Sequence, residues 1–85
     1  MPTFVTRITV TQTDDYQPPP HDITAVPGFT VWLVEWVKVE NGREGVFRTV
    51  LYSKADARKL TMNLLTMRRP GTEVGDVLTL VGFDL

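Results

Sequence analysis

The chain contains no cysteine, and only one histidine (His21) and one serine (Ser53). Without cysteine there are no disulfide staples, thiolate zinc sites or cysteine nucleophiles, which suits a reducing compartment. A lone histidine beside Asp22 and a lone serine leave little for nucleophilic catalysis, and no phosphate-cradling Gly-rich loop, HExxH or G-x-S-x-G occurs. Acid–base work needs two carboxylates converging in an apolar cleft, whereas these acids are scattered over loops and strands. Asp14, Asp15, His21 and Asp22 carry metal-ligating atoms, but without fixed spacing in one loop they read as solvated. The expectation is a non-enzymatic protein with no cofactor, no metal and no small-molecule substrate.

Net charge is lacking too. At −1 the chain as a whole has no non-specific pull toward nucleic acid or an anionic membrane. No apolar run approaches the ~20 residues a membrane helix requires, and the start MPTFVTR has no basic-then-apolar leader pattern. A cytoplasmic protein without membrane contact is expected. Its 85 residues, 42% hydrophobic and 22% charged, fit one domain over 1–85 with a thin core.

What is present is a long β-hairpin between Phe29 and Ser53. Two runs rich in Val, Trp, Phe, Thr and Tyr flank Asn41-Gly42, the dipeptide suited to a type I′ turn in which both residues need positive φ. Counting outward sets Glu40 against Arg43, Val37 against Val46, Glu35 against Arg48 and Leu33 against Val50. Alternation then gives one face of Trp32, Val34, Trp36, Phe47, Thr49 and Leu51. The other carries Val31, Leu33, Val37, Val46, Val50 and Tyr52 around the Glu35–Arg48 pair. Both faces are mostly apolar.

Thr3 to Thr13 alternates as a half-buried strand suited to an edge, with Phe4, Ile8 and Val10 on one side and Val5, Arg7, Thr9 and Thr11 on the other. Asp14 to Gly28 holds four prolines, reading either as a plain crossover or as a recognition arm led by Tyr16 and His21. After the hairpin, Ser53 caps a helix with Asp56 in its first turn. Ala57, Leu60, Leu64 and Met67 form its buried stripe, Met62 and Leu65 lie to the side, Arg68 and Arg69 suit its C-terminal end, and Pro70-Gly71 stops it. Val74 to Phe83 reads as a last strand covered on both faces, with Gly75 and Gly82 marking a bulge or bend. The predicted fold is α+β: a small antiparallel or mixed four-stranded sheet with one helix packed on one face, in the order β-β-β-α-β.

One helix covers one face, and the Trp32, Trp36, Phe47, Leu51 face, which has no charge at its centre, is the better candidate for it. That leaves Val31, Leu33, Glu35, Val37, Val46, Arg48 and Val50 as an open patch, sheltered by the proline loop, by a second copy or by another protein. The sequence therefore favours a protein-interaction or assembly module, a homo-oligomeric subunit or an occluding inhibitor. A second, different feature is charge: residues 53–69 carry five cations and one acid, the rest of the chain four cations and nine acids. Lys54, Arg58 and Arg69 are expected on one side of the helix near Met62, and with Tyr16 and His21 they form a secondary candidate contact. Three strands followed by a helix beginning Ser53-Lys54-Ala55-Asp56-Ala57 resemble plant AP2-type and phage-integrase arm-type DNA-binding domains over about half the chain. The resemblance implies a sheet that reads a DNA groove, so a nucleic-acid-binding regulator is the alternative. The chain departs from that pattern in its aliphatic and aromatic hairpin, where those sheets are basic, and in the strand after the helix.

Overall fold

The computed structural model describes residues 3–14, 16–17 and 28–84. The proline run and His21 lie outside them. Strands β1 (Thr3–Thr13), β2 (Val31–Glu40) and β3 (Arg43–Leu51) are followed by helix α1 (Lys54–Leu65), a single helical turn α2 (Val74–Val77) and strand β4 (Leu78–Val81). They form one mixed sheet in the order β3-β2-β1-β4, with β4 parallel to β1 and the other pairs antiparallel. The α+β class is as the sequence indicated, with α2 added.

The hairpin has the expected register. Asn41 and Gly42 take φ of 54° and 78°, and Glu40 faces Arg43, Glu35 faces Arg48 and Leu33 faces Val50. Its tip needs the left-handed conformation twice, which only Gly, Asn and Asp adopt cheaply.

Strand β1 differs from expectation in place and in phase. It lies inside the sheet between β2 and β4, not at an edge. A register shift between Val5 and Arg7 makes Thr6 an extra residue, a β-bulge. Val5 thereby joins Ile8 and Val10 in the core, and Phe4 pairs with Val39 on the other face. Past the bulge the Val5 N–H donates to the Met67 carbonyl at 2.9 Å, so the segment after α1 continues the sheet beside β1.

That bond helps explain why α1 ends at Leu65 and not at Arg69. Residues 67–68 are drawn into pairing with β1, and a residue there cannot also continue the helix. The Ser53 cap is as expected, its Oγ accepting from the Asp56 N–H at 3.3 Å. Ala57, Thr61, Leu64 and Leu65 form the buried stripe, Leu60 is half-buried, and Met67, past the helix, is exposed. Thr61 fits in this stripe because its hydroxyl donates to the Ala57 carbonyl at 2.7 Å, leaving no orphaned polar atom.

The last strand starts at Leu78, not Val74. Glu73-Val74-Gly75-Asp76 closes a helical turn in which the Asp76 carboxylate accepts from the Glu73 N–H. Strand β4 alternates, with Leu78 and Leu80 half-buried and Thr79 and Val81 exposed, as suits an edge and not a strand covered on both faces. Gly82 does mark a bend, at φ 83°.

Candidate interaction face

The core lies between the sheet and α1. Val5, Ile8, Val10 and Val34 meet Leu64, Leu65 and Val77, with Trp32, Trp36, Leu51 and Leu80 packed at the margin. The helix thus covers the tryptophan side, as the absence of charge at its centre suggested. Its cover stops short of the hairpin tip: Phe47 stacks on Trp36 at 5.7 Å yet stays 45% exposed.

The opposite face carries every residue of the expected patch, because pairing puts odd-numbered β2 positions beside even-numbered β3 positions. Two of those residues need correcting. Val31 and Val37 are 0% and 5% exposed, buried within the chain, so they support the face without offering surface. Val37 stands between Arg7 and Val46 in the sheet and Val31 beside Thr13, whereas Leu33 and Glu35 of the same strand line an open groove. The available surface is Leu33 and Val50, half-buried, and Val46, 56% exposed. Among them Arg48 Nε donates to Glu35 Oε2 at 2.7 Å, in a pair open to solvent. An open groove of about 470 Å³ crosses this face, lined among others by Thr9, Thr11, Leu33, Arg48 and Val50, with Tyr16 at one end. Tyr16 is held by backbone bonds, accepting from the Gly28 N–H at 2.8 Å and donating to the Phe29 carbonyl at 3.1 Å. Sequence reasoning named Tyr16 but not its place as a wall of this groove, since that depends on the two ends of the proline segment meeting.

The secondary contact is not brought together as expected. Lys54, Arg58 and Met62 are exposed on α1, whereas Arg69 lies beyond the helix with its guanidinium 5.1 Å from the Phe4 ring centroid. Lys54 Nζ sits 5.9 Å from the Phe83 ring centroid. Arg68 caps the helix, donating to the carbonyls of Leu65 at 3.0 Å and Thr72 at 3.1 Å. His21 lies outside the described residues.

Among the described residues no group of three or more His, Asp or Glu could hold a metal ion, and no helix is long and apolar enough to cross a membrane. Compared with protein-family models, curated proteins and solved structures, the chain matches none.

Proposed function

We propose that this chain is a small non-enzymatic protein-interaction or assembly module that binds another protein, or itself, through the sheet face opposite α1. The observation carrying this reading is that α1 covers one face while Leu33, Val46 and Val50 stay accessible on the other around a solvated ion pair. A cluster of accessible apolar side chains marks protein contacts, and arginine is among the residue types enriched in them. Such a module acts as a structural subunit or as an inhibitor by occlusion, and the absence of cysteine suits the cytoplasm. A nucleic-acid-binding regulator has less behind it, because Arg68 is engaged with backbone carbonyls and Arg69 lies apart from Lys54 and Arg58.

The test is Leu33→Asp. Self-association is read by light scattering and a foreign partner by capture on the immobilised protein. The variant is expected to lose the association made through this face while keeping its circular dichroism and cooperative melt. Unfolding of the variant, or no association that it diminishes, overturns the reading.

A further inference from the structure

The sheet has two edges, and they are treated differently. Strand β4 has four residues, entered from a helical turn and left through the Gly82 bend, a short edge of the kind that discourages further pairing. Strand β3 has nine residues, no proline, and an unbroken register with β2. Among the described residues nothing pairs with its outer side, and Val46, Phe47 and Arg48 are exposed. A long regular strand of this kind is a template for another strand.

The turn fixes which backbone groups are free. Glu40 and Arg43 flank a two-residue turn and so form a hydrogen-bonded pair, after which such pairs recur at every second position. Arg43, Gly45, Phe47, Thr49 and Leu51 therefore spend their N–H and C=O groups on β2. Glu44, Val46, Arg48 and Val50 direct theirs outward.

The side chains at those outward positions are self-complementary in one register. If two copies of β3 run antiparallel about a two-fold axis through Val46, Glu44 of each copy lies directly opposite Arg48 of the other, and Val46 meets Val46. Centring the axis on Phe47 sets Glu44 against Val50 and Arg48 against Val46. Centring it on Arg48 sets that cation against itself. Opposite charges directly across a strand pair stabilise it, and like charges oppose it. Arg48 has the donors to hold Glu35 of its own chain and Glu44 of a second one together. On the helix side, the Phe47 ring of each copy already lies over its own Gly45, and the two Phe47 rings lie diagonally across the axis.

We infer that two copies of this chain pair edge to edge through β3, antiparallel about Val46, giving a continuous eight-stranded sheet held by reciprocal Glu44–Arg48 pairs. This goes beyond the open-face reading and stands separately from it: the occupant is a second copy, and the contact is the backbone edge.

Charge exchange followed by analytical ultracentrifugation tests it. Wild type is expected to show a monomer–dimer equilibrium. Glu44→Arg alone and Arg48→Glu alone each place like charges opposite one another twice per dimer, weakening self-association about tenfold or more. An equimolar mixture of the two variants restores both opposite-charge pairs and is expected to restore the dimer, which loss of folding in either variant could not produce. Amide exchange supplies the second measurement. The Glu44, Val46 and Arg48 amides should become protected as concentration rises, with Phe47 and Thr49 protected throughout. A wild type that stays monomeric, a mixture that fails to recover, or a dimer whose even-numbered β3 amides exchange freely overturns the inference. Leu33→Asp separates the two proposals, since edge pairing survives it and face binding does not.

Discussion

Thr6 decides more of the core than its size suggests. As the extra residue of a bulge, it lets Val5 and Ile8 face α1 although they are three positions apart. Strict alternation would put them on opposite faces. Deleting Thr6 leaves Val5 directly before Arg7 with regular alternation, so the buried side chains keep their places. Deleting Thr9 instead turns Ile8 out of the core and the Arg7 cation into it while Val10 stays. A fully buried aliphatic side chain contributes roughly 1.5–3 kcal/mol and an unpaired buried charge costs several kcal/mol, so that deletion costs about half or more of what holds a small domain together. In thermal melts the Thr6 deletion should keep a cooperative transition and the Thr9 deletion should lose it. A Thr6 deletion that unfolds would mean the bend supplied by the bulge is itself required. None of this was legible in TFVTRITV, because no glycine or other local signal distinguishes Thr6 from the threonines around it.

At the scale of elements, legibility followed locality. The turn and the start of α1 depend on residues adjacent in sequence, and Asn41-Gly42 and Ser53 declared both. The end of α1 depends on Val5, some sixty positions away, whose N–H takes the Met67 carbonyl; periodicity that ran on to Met67 could not reveal that. The turn at Glu73–Val77 was hidden by a run of apolar residues that suits a strand equally well. The candidate face was legible in composition, and its correction came from tertiary packing: Val31 and Val37 are buried while Leu33 and Glu35 on the same strand and face are not, a difference that alternation does not carry. The local signal at Ser53 has a measurable consequence. Ser53→Ala should cost about 1 kcal/mol through loss of the cap, lowering the melting midpoint by roughly 4–8 °C for a domain of this size. Ser53→Asp should leave the midpoint near wild type, since a carboxylate caps equally well and favours the helix N-terminus. An alanine variant that melts with the wild type would show that tertiary packing alone holds the first turn.

The whole molecule is a sheet with one clad side and one bare side, and neighbouring residues of one strand report the two. Val34 is 1% exposed beneath α1, while Leu33 and its cross-strand partner Val50 lie half-buried on the other face. Val34→Asp would bury a carboxylate with no cation among the core residues around it, and an unpaired buried charge costs several kcal/mol. Against the roughly 5–15 kcal/mol that stabilises a native domain, this variant should show a sharply lowered midpoint or no cooperative melt. Val50→Asp keeps its new carboxylate in contact with water on the side where Arg48 projects, so its midpoint should stay within a few degrees of wild type. Thermal melts of the two purified variants make the comparison directly. If Val50→Asp falls as far as Val34→Asp, the second face is interior to the folded chain, and no surface is left there for a partner.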